Sequence, residues 1–194
     1  MARRRAKDEH GGAPEPDLKR ALDLVLKLMA VPGPSGSEGR VVDIITAHLR
    51  KAGVPASAIE TDRAHQRTHD RGEVGNLCLK LPGTYRAPRR MLVAHVDTVP
   101  LCVGSRPVIQ NGHVRSADAT TALGADDRAG ASVLLTAALE ILRNRLPHPP
   151  LTILWPVQEE VGVQGVQHAR MAMLGRVRQA FNFDGGSPEK LTIG

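Results

Sequence analysis

The chain has 194 residues, 41% of them apolar and 24% charged, which suits a water-soluble folded unit and excludes a low-complexity chain. The formal charge is +6, but Arg3, Arg4 and Arg5 stand among Asp8, Glu9, Glu15, Gly and Pro. That opening reads as a disordered basic and polar tail over residues 1–16, not as a signal peptide, a transit sequence or a nucleic-acid arm. With one Trp, one Tyr and two Phe, the core must be built from Leu, Val, Ile and Ala. No window approaches the length of a membrane span, so no membrane partner is expected, and the solvated reading of the tail leaves no nucleic-acid partner expected either. Cys78 and Cys102 match no metal or redox spacing and read as free thiols of a cytoplasmic protein.

Residues 17–30 predict a helix capped by Asp17, with Leu18, Leu22, Leu24, Val25 and Leu28 on its apolar face. "VPGPSGSEGR" breaks the chain, and Ser37 with Glu38 opens a second helix carrying Val41, Val42, Ile44, Ile45 and Leu49 as far as Gly53. "TDRAHQRTHDRGEVG" reads as a loop or a weak edge element. Strands are expected at 76–81 and 90–95, then a hairpin over 107–116 turned by Asn111-Gly112. "GADDRAGASVLLTAALEILRNRL" is the clearest helix, capped by Asp127, striped by Ala131, Leu134, Leu135, Leu139 and Leu142, and stopped by Pro147. A strand at 151–157, a helix at 164–174 and a strand at 179–184 complete the order. The alternation predicts an α/β fold, a mixed and mostly parallel sheet flanked by helices.

Four acidic places fall where a strand gives way to a loop or a helix begins: His95/Asp97, Asp126/Asp127, Glu159/Glu160 and Asp184. That edge of an open α/β sheet is where ligands bind. Each place has an ordinary explanation when taken alone: a structural hydrogen-bonded pair, a helix cap, a solvated charge pair, a turn. All four in this order are hard to attribute to chance. Carboxylates gathered without cations repel one another and their pKa values climb, and a divalent metal removes that cost. One imidazole with three carboxylates suits zinc, with manganese or cobalt possible, and the surplus of carboxylates suggests two ions. His95 and Asp97 at i and i+2 face the same way on a strand. Asp97 is therefore expected to accept the ring N–H that is not on the metal. Glu159 and Glu160, being adjacent, point apart, so that one can hold metal while the other takes a proton from a metal-activated water.

"VPGPSGSEG" (31–39), "LVAHVDTVP" (92–100), "SADATTALGADDRAG" (116–130), "VQEEVGVQG" (157–165) and "FDGG" (183–186) together resemble the peptidase T-like aminopeptidases. These lie within the clan of two-zinc metallopeptidases that includes carboxypeptidase G and succinyl-diaminopimelate desuccinylase. The resemblance implies that His95 binds one zinc, Asp126 bridges two, Glu160 belongs to the second and Asp184 to the first. It implies Asp97 as the orienting residue, Glu159 as the general base, and removal of N-terminal residues from short peptides as the reaction. Ala119 stands where the family's loop usually has Gly. Family members are considerably longer than this chain. Residues 17–194 are thus expected to be the N-terminal portion of the catalytic domain, without the lid and dimerisation domain or the late histidine ligand. A homodimer is expected only if the full protein has that lid. A truncated, non-catalytic metal-binding or interaction protein, or a related carboxypeptidase or deacylase, stays open as an alternative.

Overall fold

The computed structural model describes residues 15–187, 189, 190, 192 and 193. Of the expected tail, residues 1–14 lie outside the described residues, and Glu15 and Pro16 are exposed. Asp17 then starts α1 (Leu18–Met29), its carboxylate accepting the Arg20 amide at 3.0 Å as a helix cap does. The apolar face is only partly used: Leu24 and Leu28 are buried, whereas Leu18 is exposed. The second helix, α2 (Gly39–Lys51), starts two residues later than expected. Ser37 makes no cap, and the Glu38 carboxylate turns back to accept the Gly36 amide at 2.8 Å. Gly53, at φ 89°, leaves this helix in the left-handed region that glycine tolerates.

The main sheet holds β1 (Ile59–Thr61), β2 (Leu77–Leu81), β3 (Arg89–Val93), β6 (Leu151–Trp155) and β7 (Val177–Asn182), in the order β1-β2-β6-β3-β7. Two pairings are antiparallel and two parallel, so β2 alone runs against the other four strands. The expected hairpin forms separately, as β4 (Pro107–Gln110) and β5 (His113–Ser116), with Asn111 and Gly112 both at positive φ in its turn. Period-2 alternation sends the strand side chains to two sides. Leu77, Leu79, Leu81, Leu151, Ile153 and Trp155 meet α1, α2 and α3 (Ala125–Asn144) in the main core. On the other face Cys78 and Leu154 pack with Met173 and Leu174.

Two elements depart from expectation. The predicted helix over 164–174 is only a single turn, α4 (Gln164–Gln167), followed by a 3-10 turn at Met171–Met173. Its backbone is bonded elsewhere: the Gly165 carbonyl accepts from Asn76 Nδ2, and the Arg170 amide donates to Asp62. Tertiary hydrogen bonds displace the helical ladder there. The strand predicted to carry His95 ends at Val93, and the chain runs on beside the segment after β6 through Ala94 N to Leu154 O and Val96 N to Pro156 O.

Candidate metal centre

The C-terminal ends of β3, β6 and β7 open toward the same edge of the sheet, because these three strands are parallel neighbours. His95 and Asp97 follow β3, Glu159 and Glu160 follow β6, and Asp184 follows β7. Asp126 arrives from the first turn of α3, where Asp126 and Asp127 depart from helical dihedrals across a cis peptide. Asp127 caps the regular helix beyond, its Oδ1 accepting the Gly130 amide at 3.0 Å.

These six residues come together. His95 Nε2 lies 3.2 Å from Asp126 Oδ1, 3.9 Å from Asp184 Oδ2 and 4.0 Å from Glu159 Oε2. His95, Asp126 and Glu160 form one group whose ligand atoms lie within 4.8 Å of one another, and His95, Glu159 and Asp184 form another. The imidazole is 3% exposed, while the Asp126 carboxylate is 73% exposed and free to adjust. Behind the ring, Nδ1 is 3.2 Å from the Asp97 carbonyl oxygen and 3.4 Å from its Oδ1. A proton on Nδ1 therefore has an acceptor, and Nε2 is the ring nitrogen that faces the carboxylates.

The electrostatics follow from burial and crowding. Burial alone would lower the His95 pKa, but the Asp97 hydrogen bond and the charges of Asp97, Asp127 and Asp184 outweigh it and hold it at about 9. Burial would likewise raise Asp97, yet hydrogen bonds from His95, Ser35 and the Glu159 amide bring it below the usual carboxylate value. Glu159 and Glu160 are raised, first by partial burial and then by neighbouring carboxylates, Asp184 foremost for Glu159 and Asp126 for Glu160. Asp127 is pushed to about 7, chiefly by burial, and its Oδ2 has no hydrogen-bond partner among the described residues. No Lys or Arg among the described residues pairs with Asp126, Glu159, Glu160 or Asp184. A site so rich in hard oxygen donors, with a single imidazole and no paired Lys or Arg among the described residues, fits divalent metal.

A cavity of about 140 Å³ adjoins the cluster, lined by His95, Glu159 and Asp184 together with Val93, Val163 and Val166. A larger apolar cleft of about 670 Å³ between α1 and α3 is lined by none of the six. The residues that sequence reasoning passed over are Ser35, Glu38 and Gln158, all bonded into this edge. Ser35 and Glu38 lie in the run "VPGPSGSEG" and Gln158 in "VQEEVGVQG", but spacing gave none of the three a role in the site.

Residues 76–193 match peptidase family M28. The chain is 29% identical over 156 residues to the uncharacterized protein YqjE of Bacillus subtilis, covering 80% of this chain and 40% of that one. Peptidase T of Edwardsiella ictaluri is 35% identical over 74 residues, 38% of this chain and 18% of that protein. A tripeptidase structure from Staphylococcus aureus superposes with TM-score 0.81 at 25% identity, covering 90% of this chain and 45% of that one. The Bacillus subtilis YxeP protein, described as a dinuclear metal-binding peptidase of family M20, shares the fold at TM-score 0.57 and 16% identity, over 88% of this chain and 44% of that one. The chain spans less than half the length of each of these four proteins.

Proposed function

Because this chain belongs to peptidase family M28, we propose that it carries part of a metal-dependent aminopeptidase that removes N-terminal residues from short peptides. The observation that carries this reading is the ring of four carboxylates around His95 Nε2, unneutralised by any Lys or Arg among the described residues. Family membership and the likeness to peptidase T and to a tripeptidase support peptide hydrolysis as the chemistry.

His95, Asp126, Glu160 and Asp184 would hold two divalent ions, zinc by preference, with cobalt or manganese accepted by the same atoms. Divalent ions there supply Lewis-acid chemistry, polarising the scissile carbonyl and acidifying water. Asp97 holds a proton on His95 Nδ1, so that Nε2 is the nitrogen that would give up its proton and bind metal. Glu159 takes the proton of the attacking water at a carboxylate oxygen and returns it to the leaving amine as the C–N bond breaks. Its raised pKa suits that duty, being closer to neutrality than an ordinary carboxylate. The substrate proposed is a short peptide. The buried free thiols of Cys78 and Cys102 favour a cytoplasmic location. A homodimer requires a lid domain elsewhere in the full protein.

The test is hydrolysis of an unblocked tripeptide with added Zn2+ or Co2+, followed in parallel with metal uptake. Slow, metal-dependent release of the first residue is expected. Glu159→Gln should abolish it while metal stays bound, and His95→Ala should lose the metal. Metal-independent turnover, or equal loss of metal in both variants, would contradict the assignment.

A further inference from the structure

The loop 31–39 touches the metal-centre edge at two points. Ser35 Oγ donates to Asp97 Oδ2 at 2.6 Å. The same carboxylate accepts the Glu159 amide at Oδ1 (2.9 Å) and the Glu160 amide at Oδ2 (3.1 Å). Glu38 Oε1 accepts the Gly36 amide at 2.8 Å and the Gln158 amide at 3.1 Å. Three consecutive amides, of Gln158, Glu159 and Glu160, thus end on two fully buried carboxylates.

Gln158 needs such holding. It sits at φ 54°, a left-handed conformation that a long side chain adopts only where its surroundings fix it. Its Nε2 donates to the Arg71 carbonyl at 2.6 Å, which anchors the side chain as well. The loop is itself fastened. The Thr98 amide and the buried Arg128 guanidinium both donate to the Gly33 carbonyl, each at 3.2 Å, and Arg128 also reaches the Leu28 carbonyl at 3.1 Å. Arg128 therefore ties α3, Ser35's loop and the end of α1 into one body. Burying Glu38 and Asp97 costs desolvation, which the hydrogen bonds they accept from Ser35 and from the Gly36, Gln158, Glu159 and Glu160 amides offset in part.

We propose that the 31–39 loop is a brace that aims the Glu159–Glu160 pair, Ser35 acting through Asp97 and Glu38 through the Gln158 amide. Ser35 and Glu38 are positioning residues: neither belongs to the group of ligand atoms around His95. The brace rests on the reading of Glu159 and Glu160 as members of a metal centre.

Amide hydrogen exchange on the metal-free 194-residue chain, paired with Co2+ titration, tests it in Ser35→Ala, Ser35→Thr, Glu38→Ala and Glu38→Gln. Ser35→Ala should speed exchange at Glu159 and Glu160 by loosening the Asp97 carboxylate that accepts them, and Glu38→Ala at Gln158 by removing its acceptor, each about tenfold. Amides of α3 and the main sheet should keep their protection. Thr retains the hydroxyl and Gln the accepting oxygen, so both should restore slow exchange. Co2+ affinity should fall about tenfold in the Ala variants and recover in the conservative ones. Unchanged exchange at residues 158–160 would overturn the brace. So would faster exchange with unaltered Co2+ affinity, which would make the loop structural only. Ser35 is half-buried, so Ser35→Ala keeps the test available if Glu38→Ala fails to fold. An unmutated chain that takes up no Co2+ would instead defeat the metal-centre reading itself, and ligand positioning with it.

Discussion

Asp97 organises more of this edge than any residue around it. Fully buried, it receives a hydroxyl, two amides and the proton side of an imidazole. Asparagine in its place would turn one acceptor oxygen into a donor facing donors. Asp97→Asn should therefore weaken zinc binding about 10- to 100-fold, measured by competition with a chromophoric chelator, while the chain stays folded. Glu38 makes a separate prediction about pH. Burial foremost lifts its pKa from 4.5 to about 7 in the folded chain. An acid raised on folding binds its proton more tightly in the native state. Its contribution is therefore fully present below pH 4.5 and lost as pH rises through 7, a change of about 3 kcal/mol. Denaturant midpoints from pH 4.5 to 8.5 should fall less in Glu38→Gln than in the unmutated chain. A difference independent of pH would show that Glu38 ionises freely. At this scale the sequence made His95 and Asp97 visible through their i, i+2 spacing. Glu38 stayed hidden, because its partners lie two residues behind it and 120 residues ahead.

Among the elements, α3 was legible from one strong helical period and β6 as a short apolar run set between prolines. Ala131, Leu134, Leu135, Ala138 and Leu139 are buried at helical spacing, and all five residues of β6 are buried. Leu135→Ala should cost about 2–5 kcal/mol by chemical denaturation, whereas Val133→Ala, half exposed on the same helix, should stay within about 0.5 kcal/mol. The segment 164–174 was misread because Val166, Met173 and Leu174 mimic a helical stripe. They are instead packed from below against Cys78 and Leu154, on a backbone held by Asn76 and Asp62. Gly165 marks the place: a Cβ there would meet the Val157 carbonyl oxygen and the Asn76 side chain. Gly165→Ala should consequently lower the melting temperature by several degrees, corresponding to about 1–3 kcal/mol, by displacing the turn that follows Glu159 and Glu160.

For the molecule as a whole, periodicity reveals which runs are strands but not which strands are neighbours. β2 lies antiparallel to β6, and β3 lies parallel between β6 and β7; these contacts bridge chain separations that no local pattern encodes. The convergence of the acidic places could still be foreseen, because ligand edges in such sheets collect the loops after parallel strands. What spacing could not convey is how the carboxylates divide around the imidazole, with Glu160 beside Asp126 and Glu159 beside Asp184. The proposed function depends on divalent cations occupying that ring. Crystals of the chain soaked in Zn2+, with diffraction recorded on either side of the zinc absorption edge, address it most directly. The account predicts anomalous density between His95 Nε2 and the carboxylates of Asp126, Glu160 and Asp184. Well-ordered side chains there with no anomalous signal, or zinc bound only elsewhere on the surface, would contradict it.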